Sequence, residues 1–255
     1  MGNVLDCKRL YGLVGYPLVH SLSSQFFNSK FASEGVDAGY VNFEIADVGL
    51  LPDVIAAHPN LSGLNVTAPF KQAVIPLLDE LDETAREVDA VNVISVIRDG
   101  NNALRLVGHN TDVTAFGRTM QGMPLPGSAM VLGTGGGARA AAVALRRLGV
   151  EVQLVSRHKA QQVLVYEEIT RAMVASCHLI VNATPLGKYP DVEASPDFPY
   201  RFLTPSHTCY DLNYNPEFTA FLKLGAQHGA KTRNGLEMLL LQAAESYEIW
   251  TRGEG

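Results

Sequence analysis

Cysteine is scarce in this 255-residue sequence, and positive charge is not in excess. The three cysteines, Cys7, Cys177 and Cys209, form no Cys-x-x-Cys pair, and an odd, scattered set does not build a disulfide framework. We therefore expect free thiols and a protein of the reducing cytoplasm. The formal net charge of −6 disfavours nucleic acid or an anionic membrane surface as a partner, but it is compatible with a small anion bound in a local basic pocket.

Long apolar runs and metal-like spacings are also missing. No apolar stretch is long enough to cross a bilayer without a charge inside it. The seven histidines show no spacing typical of a metal site, so we expect no metal. What the chain does have is 47% hydrophobic residues beside a charged fraction of 18%. This composition predicts a globular protein with a buried core rather than a disordered chain.

Short apolar runs alternate with helix-like segments along the chain, which is typical of an α/β protein. In the first half the pattern predicts strands over 10–14, 40–45, 61–66, 91–97 and 104–107, and helices over 23–34, 47–58 and 69–78. Residues 98–101 have the composition of a hairpin turn. In the second half it predicts strands over 129–132, 152–155, 179–181 and 208–212, and helices over 111–121, 139–148, 160–175, 216–228 and 235–250.

The most informative motif is a glycine-rich turn that follows a predicted buried strand. Gly133, Gly135 and Ala138 fit the pattern G-x-G-x-x-G/A, with Gly136 and Gly137 between them. The first glycine permits a tight turn, the second lets the backbone approach a pyrophosphate, and the alanine lets the next helix pack closely on the strand. The free N–H groups at the start of that helix can bind phosphate. The motif therefore predicts a dinucleotide cofactor.

The end of the next predicted strand indicates which dinucleotide binds. An NAD enzyme of this kind usually ends that strand in Asp or Glu, which binds the ribose 2′-hydroxyl. Here the strand ends in Ser156, Arg157, His158 and Lys159, with no acid. Arg157 and Lys159 can bind a 2′-phosphate, and an arginine can also stack on the adenine. The alternative is that both are ordinary surface cations, but their position favours NADP.

Polar groups stand at strand ends of the first half, where α/β proteins bind their ligands. A single polar residue of this kind more often belongs to a turn or caps a helix. Together they offer hydroxyl, amide, ammonium and carboxylate groups to a small polar ligand. The group consists of Ser21, Ser23, Asn65, Thr67, Lys71, Asn92 and Asp112.

These segments carry a resemblance to a known family. The chain resembles the shikimate dehydrogenases, and the matching motifs follow one another in order over nearly its whole length. They are His20-Ser21-x-Ser23, Asn65-Val66-Thr67-x-Pro69-x-Lys71, Ala90-Val91-Asn92, Asn110-Thr111-Asp112, the glycine turn, Asn182-Ala183-Thr184-Pro185-Leu186-Gly187, Tyr210-Asp211-Leu212-x-Tyr214-Asn215-Pro216, Asn234-Gly235-Leu236-x-Met238-Leu239 and Gln242-Ala243-Ala244. The resemblance implies NADP-dependent, reversible reduction of 3-dehydroshikimate to shikimate, in the pathway to aromatic amino acids.

The resemblance also implies roles for single residues. Ser21 and Ser23 would bind the substrate carboxylate with help from Tyr214, and Lys71 and Asp112 would act at the reacting centre. Ring hydroxyls would be bound by Asn65, Thr67, Asn92, Asp112 and Gln242. The nicotinamide side would be lined by Asn182, Ala183, Thr184, Leu212 and Gly235, with Met238 beside both ligands. Three positions depart from the family, at Ser24, at Val93 and at 156–158, and the last changes the polar groups around the 2′-phosphate.

Two domains are implied. Residues 1–111 and 236–255 are expected to form a substrate-binding catalytic domain with a mixed, mainly parallel α/β sheet, since Gln242 is needed there. Residues 112–235 are expected to form a Rossmann-type, doubly wound NADP-binding domain. The partner is a small-molecule substrate, and the chain is expected to be a monomer or a homodimer.

Reduction of a ketone by hydride needs a proton for the forming alkoxide, or strong donors aimed at it. Lys71 can supply either, and Asp112 can orient it. The sequence leaves open whether Lys71 transfers the proton or mainly positions and polarises. Two other functions are compatible with the sequence, a quinate or quinate/shikimate dehydrogenase and a non-catalytic ligand sensor on the same fold. The presence of both Lys71 and Asp112 argues against the sensor.

Overall fold

Two six-stranded sheets organise the computed structural model, which describes residues 4–19, 21–99 and 103–252. The chain divides into a first unit, Met1–Thr111 with Ala243–Gly255, and a second unit, Asp112–Gln242. The domain boundaries at 111/112 and 235/236 that the sequence suggests stay a prediction.

The first unit contains a mixed sheet. Its strands are β1 (Arg9–Gly15), β2 (Ala38–Glu44), β3 (Leu61–Val66), β4 (Glu80–Leu81), β5 (Val93–Arg98) and β6 (Leu104–His109). Their order is β2-β1-β3-β5-β6-β4, and β5 runs antiparallel to β3 and β6 while the other neighbours are parallel. The helices of this unit begin with α1 (Ser23–Glu34), α2 (Leu51–Ala57) and α3 (Glu83–Val88). The predicted mixed, mainly parallel sheet is confirmed.

The second unit contains a parallel sheet. Its strands are β7 (Ser128–Leu132), β8 (Glu151–Ser156), β9 (Val163–Val165), β10 (Leu179–Asn182), β11 (Thr208–Asp211) and β12 (Lys231–Arg233). In the order β12-β11-β10-β7-β8-β9, successive strands are added outward from β7 on both sides, as in a doubly wound dinucleotide-binding fold. Its helices are α4 (Asp112–Thr119), α5 (Gly136–Arg147), α6 (Arg171–Ser176), α7 (Ala220–Gln227) and the start of α8 (Leu236–Thr251). The predicted Rossmann-type architecture is confirmed.

Apolar side chains cover both faces of the inner strand β1, as expected for a strand packed on both sides. Leu10 and Val14 are buried in one core of the first unit, and Tyr11 and Leu13 are buried in the core on the other face. This alternation follows from the two-residue period of a strand. On the second face, Trp250 of α8 stacks on Tyr11 with ring centroids 4.7 Å apart. The last turns of α8 are thereby fixed against the first sheet.

The predicted helix over 69–78 is wrong. This segment forms successive turns that end in a 3₁₀-helix, Ile75–Leu77. Pro76 has no N–H to donate, and the bonds from Ile75 N to Gln72 O and from Leu77 N to Val74 O span three residues rather than four. The residues that lead to and follow Lys71 are therefore held in turns.

The predicted helix over 160–175 is also wrong in its first part. Gln162 has a φ of 59°, in the left-handed region, and the apolar run after it, with two β-branched valines, forms the edge strand β9. Only α6 is α-helical in this segment, and Thr170 caps it by accepting from Met173 N at 3.3 Å. The sequence-based pattern also missed α3, β4 and β12. In the predicted hairpin, β5 and β6 do pair, but Gly100 and Asn101 lie outside the described residues.

Cys7, Cys177 and Cys209 are free thiols, as expected. Across the ranges described, no helix is both long and apolar enough to cross a membrane. In the same ranges, no group of three or more His, Cys, Asp or Glu side chains is arranged to hold a metal ion.

Candidate functional site

Ser21 and Ser23 lie just beyond the end of β1, and each is half-buried. Ser21 Oγ accepts a hydrogen bond from Ser23 N at 3.2 Å, and Ser21 N donates to Leu18 O at 3.0 Å. These bonds fix the Ser21 hydroxyl and the backbone of Ser23 at the start of α1. His20 of the same motif lies outside the described residues. We define the substrate cluster as the predicted substrate residues of the first unit, Ser21, Ser23, Asn65, Thr67, Lys71 and Asn92.

Asn65 is a member of the substrate cluster whose side-chain amide has three hydrogen-bond partners. It is only 5% exposed, near the end of β3. Its Oδ1 accepts from the Tyr40 hydroxyl at 2.8 Å, and its Nδ2 donates to Ser246 Oγ at 2.9 Å and to Asn92 O at 3.3 Å. Three partners thus fix which way the amide points. Sequence reasoning assigned no role to Tyr40 or Ser246, because a tyrosine in an apolar strand and a serine in an apolar helix are both ordinary core residues.

Asn92 precedes β5 and clamps the segment that leads to Asp112. Its Nδ2 donates to Thr111 Oγ1 at 2.9 Å, and its Oδ1 accepts from Thr111 N at 2.8 Å. Asn110 Nδ2 donates to Ala90 O at 2.8 Å, so the neighbouring residue is fixed as well. Asp112 follows directly as the buried first residue of α4.

Thr67 and Lys71 follow β3 and are both half-buried. Thr67 N donates to Val14 O at 2.9 Å, which continues the pairing of β1 and β3 past the strand end. The carbonyl of Lys71 accepts from Val91 N at 2.7 Å. The backbone of Lys71 is therefore tied to the residue that precedes Asn92.

The glycine turn of the second unit has the predicted form. Gly133 has a φ of 118°, and a Cβ there would lie 3.2 Å from Ala183 O, so the turn requires glycine. Gly135 stands at the N-cap of α5 and brings no side-chain oxygen to the first-turn amides, which leaves them for an anion. Ala138 is fully buried against the sheet. The tight turn at Gly133 and the packing of Ala138 are thus observed, while the approach of a pyrophosphate at Gly135 stays a prediction.

A second group of residues surrounds Asp211, the last residue of β11, which is fully buried. Its carboxylate accepts from Thr219 Oγ1 at 2.5 Å, from Asn213 N at 2.9 Å and from Asn182 Nδ2 at 3.1 Å. Burial raises the pKa of Asp211 to about 6, against these hydrogen bonds, which favour the charged form. Asp211 thus joins the ends of β10 and β11 in one network. In the sequence, an acid at the end of an apolar strand is the feature that could have indicated this role of Asp211.

The loops after β10 and β11 are cross-linked by two asparagines. Asn182 Oδ1 accepts from Thr184 N at 3.0 Å and from Thr184 Oγ1 at 2.7 Å. Asn213 Nδ2 donates to Thr184 O at 3.0 Å and to Leu186 O at 3.1 Å. Of the predicted cofactor residues, Asn182, Ala183 and Thr184 are thereby held as one rigid loop.

Gly235 lies against the end of β11, since a Cβ at this position would overlap the carbonyl oxygen of Leu212. Met238 follows on α8 and is buried, and Gln242 on the same helix donates from Nε2 to Leu239 O at 2.9 Å. Tyr214 is half-buried in the loop between β11 and α7. We define the cofactor cluster as the predicted cofactor residues, all in the second unit: Gly133, Gly135, Gly136, Gly137, Ala138, Ser156, Arg157, Lys159, Asn182, Ala183, Thr184, Leu212, Gly235 and Met238.

The end of β8 presents two exposed cations. Lys159 Nζ bonds both carboxylate oxygens of Glu168, at 2.5 and 2.6 Å, and this lowers the pKa of Glu168. Glu168 also accepts from Val165 N at 3.1 Å. Arg157 forms no ion pair within the described ranges, but its charge opposes the burial that raises the pKa of Tyr166 to about 12. Sequence reasoning missed Glu168, which it placed inside a helix.

Comparison with known proteins extends this picture. A model of the "Shikimate dehydrogenase substrate binding domain" family matches residues 13–94. The NADP(+) shikimate dehydrogenase of Desulforamulus reducens is 38% identical, over 94% of this chain and 89% of its own length. The corresponding protein of Salinibacter ruber is 39% identical, over 95% of this chain and 92% of its own length.

Solved structures show the same likeness. The shikimate 5-dehydrogenase of Thermus thermophilus, in complex with NADP(H) and shikimate, has a TM-score of 0.81 at 32% identity, covering 95% of this chain and 91% of that one. A quinate dehydrogenase of Corynebacterium glutamicum, in complex with NAD, has a TM-score of 0.80 at 29% identity, covering 96% of this chain and 94% of that one.

Proposed function

This chain belongs to the shikimate dehydrogenase family, and from that premise we propose how its residues carry out the reaction. The protein is an NADP-dependent oxidoreductase that acts on a CH–OH group. It interconverts 3-dehydroshikimate and shikimate, a step in the biosynthesis of aromatic amino acids. The roles of single residues in this reaction are our proposal.

One observation is the main support for catalytic roles of Lys71 and Asp112. Val91 N bonds Lys71 O, and the side chain of the next residue, Asn92, bonds Thr111 twice. Two adjacent residues thus anchor the backbone of Lys71 and the residue before Asp112. Such anchoring is what a pair of catalytic side chains needs, since a small displacement of a reacting group costs a large factor in rate.

The substrate cluster binds the substrate before the chemistry begins. Ser21 and Ser23 donate to the carboxylate, and Tyr214 assists. Asn65, Thr67 and Gln242 bind ring hydroxyls, and Asn92 contacts a hydroxyl in addition to clamping Thr111. A site built to hydrogen-bond hydroxyl groups rejects analogues that lack them, because its own buried polar groups are then left unpaired.

The chemical step transfers a hydride and a proton. When bound, NADPH would supply a hydride to the carbonyl carbon of 3-dehydroshikimate. Lys71 donates a hydrogen bond to the carbonyl oxygen and stabilises the negative charge that develops there. The proton reaches that oxygen from the Lys71 ammonium group, which water then reprotonates, or from a water molecule that Lys71 positions. Asp112 accepts from a neighbouring ring hydroxyl and orients Lys71.

The cofactor cluster fits a dinucleotide phosphate. The tight turn at Gly133, the absence of a side chain at Gly135 and the first-turn amides of α5 support the binding of a pyrophosphate here. Arg157 and Lys159 would bind the 2′-phosphate, with Ser156 beside them. Asn182, Ala183, Thr184, Leu212, Gly235 and Met238 would line the nicotinamide end.

The test is an absorbance assay of cofactor reduction with shikimate or quinate, each with NADP and NAD. We expect shikimate with NADP to give the highest kcat/KM. Comparable turnover of quinate would make the protein a quinate/shikimate dehydrogenase, which the likeness to the C. glutamicum enzyme makes the relevant alternative. Binding of shikimate without turnover of either acid would identify a sensor and overturn the proposed mechanism.

We also propose the broader setting. The substrate-binding catalytic domain comprises 1–111 and 236–255, and the NADP-binding domain comprises 112–235. The protein acts in the cytoplasm as a monomer or a homodimer, with small molecules rather than nucleic acid or membrane as partners. The free thiols and the net charge of −6 support this setting.

A further inference from the structure

Tyr40 of β2 is held on every side. It is 1% exposed, and its ring stacks on that of Phe27 with centroids 4.5 Å apart and planes 10° apart. Asn28 fixes its backbone twice, since Oδ1 accepts from Tyr40 N and Nδ2 donates to Tyr40 O, each at 2.9 Å. The ring, and with it the phenol oxygen, has little freedom to move.

The Tyr40 hydroxyl donates its proton to Asn65 Oδ1 at 2.8 Å. Burial raises the pKa of Tyr40 well above its ordinary value, and the Ser23 hydroxyl opposes this shift. Tyr40 therefore keeps its proton near neutral pH, and it remains a donor to Asn65.

The other end of the Asn65 amide is also occupied. Its two Nδ2 protons go to Ser246 Oγ at 2.9 Å and to Asn92 O at 3.3 Å. A backbone carbonyl can only accept, so Asn92 O determines that the NH₂ group and not the oxygen lies on its side. An amide oxygen has two lone pairs. Among the bonds that the described residues make, Tyr40 uses one and leaves the other for a ligand.

We propose that Tyr40 and Ser246 are positioning residues, which hold Asn65 so that its Oδ1 accepts a hydrogen bond from one ring hydroxyl of the substrate. Asn65 then accepts the proton of a substrate hydroxyl in a hydrogen bond. It cannot donate to the substrate, because both of its N–H groups are already bonded within the protein. This inference rests on the proposed function, because it takes Asn65 to face the substrate. The two residues act through Asn65 and do not themselves contact the substrate.

The decisive variant is Tyr40→Phe, which removes one oxygen and keeps the ring stack and both bonds to Asn28. A net contribution typical of one neutral hydrogen bond corresponds to a loss of roughly 3- to 10-fold in kcat/KM for shikimate. We expect the loss in KM rather than kcat, because Asn65 binds the same hydroxyl before and during the reaction. The KM for NADP should not change.

A merely structural role is distinguished with shikimate analogues that each lack one ring hydroxyl. With one of them, the analogue that lacks the hydroxyl bound by Oδ1, Asn65→Ala should show no loss in kcat/KM relative to the wild type. Tyr40→Phe and Ser246→Ala should likewise show no loss in kcat/KM with that same analogue. Equal penalties for shikimate and for every analogue would overturn the proposal, as would a wild-type KM in Tyr40→Phe.

Tyr200→Phe is the matched control. This half-buried tyrosine of the second unit donates a hydrogen bond from its hydroxyl to Pro196 O at 3.0 Å. The variant should lose some thermal stability and keep every parameter for shikimate and its analogues. If Tyr40→Phe does not fold, Ser246→Ala provides the same comparison by itself. Absence of shikimate turnover in the wild type would instead refute the proposed function, which is a separate result.

Discussion

The substrate cluster and the cofactor cluster use polar groups in opposite ways. In the substrate cluster, Asn65 and Asn92 are 5% and 3% exposed, and neighbouring side chains already bond them. At the end of β8 in the cofactor cluster, Arg157 and Lys159 are exposed. Buried, pre-oriented amides give discrimination between similar neutral groups, because a wrong partner leaves them unpaired. Exposed cations give attraction to a phosphate, with less dependence on fine geometry.

This difference has a consequence for solution behaviour. Interactions among exposed charges are screened at physiological ionic strength, whereas bonds to buried groups are screened much less. Binding of shikimate through the amides should therefore respond weakly to salt, and discrimination between NADP and NAD should weaken as salt rises. The variants below test whether the two clusters really differ in this way.

The largest effect is expected at Lys71. Lys71→Ala removes the proposed donor to the developing alkoxide, and loss of such a group typically lowers kcat by about 10²- to 10⁴-fold. Because the bond is strongest in the transition state, KM for shikimate should change much less than kcat. Steady-state kinetics with the exposed Lys8→Ala variant as control measures this effect. A kcat near the wild-type value would refute the role of Lys71.

Asp211 is a buried acid that supports the cofactor loops, and its ionisation can be tested by varying the pH. Its pKa of about 6 in the folded protein is above its ordinary value of 3.8, so the folded chain binds this proton more tightly than the unfolded chain does. Ionisation of Asp211 therefore costs stability above pH 6, and the cost disappears as the pH falls toward 4. The shift corresponds to about 3 kcal/mol.

The variant Asp211→Asn lacks this titration. We expect the difference in unfolding free energy between wild type and variant to move by about 2–3 kcal/mol in favour of the wild type between pH 7 and pH 4. Urea unfolding at several pH values measures it. A pH-independent difference would mean that Thr219, Asn182 and Asn213 stabilise the carboxylate enough to cancel the effect of burial.

The two clusters also differ in how far the sequence predicts them. The glycine turn is local, since Gly133, Gly135 and Ala138 act within six consecutive residues, and the fold class follows from the alternation of strands and helices. The bonds of Asn65 are not local, because Tyr40 lies 25 positions away and Ser246 lies 181 positions away. Which side chains a buried amide meets depends on the sheet order and on the path of α8, and neither is visible in a single motif.

Local patterns failed where a single residue overrides them. Pro76 prevents an α-helix around the residues that follow Lys71, and the left-handed Gln162 begins the turn into β9. Because a surface helix is predicted for the segment after Gln162, the sequence offers no reason to expect a contact between Glu168 and Lys159. The cations at the end of β8 were thus predicted without the acid that neutralises one of them.

Arg157 should dominate the discrimination between NADP and NAD. Arg157→Ala removes a guanidinium that can donate two parallel bonds to the 2′-phosphate, for a loss of roughly 10-fold or more in affinity for NADP. NAD lacks this phosphate, so its Kd should change little. The exposed Arg146→Ala in the last turn of α5 is the control. Equal losses for the two cofactors would mean that Arg157 contacts a shared part such as the adenine.

The smallest and most informative change is Glu168→Gln. Glu168 holds Lys159 with both carboxylate oxygens and adds a negative charge beside the residues that would bind the 2′-phosphate. The variant should tighten NADP by roughly 2- to 5-fold, a range typical of one exposed ion pair, and leave NAD unchanged. The gain should shrink at high salt and in a Lys159→Ala background.

Glu151→Gln is the matched control for that variant, because Glu151 is an exposed acid at the opposite, amino-terminal end of β8. It removes the same charge from the protein as a whole, so any difference between the two variants reflects position and not net charge. Weaker binding of NADP in Glu168→Gln would show instead that Glu168 holds Lys159 in its binding position. The cofactor cluster would then depend on prior orientation as much as the substrate cluster does, and the contrast between them would fail.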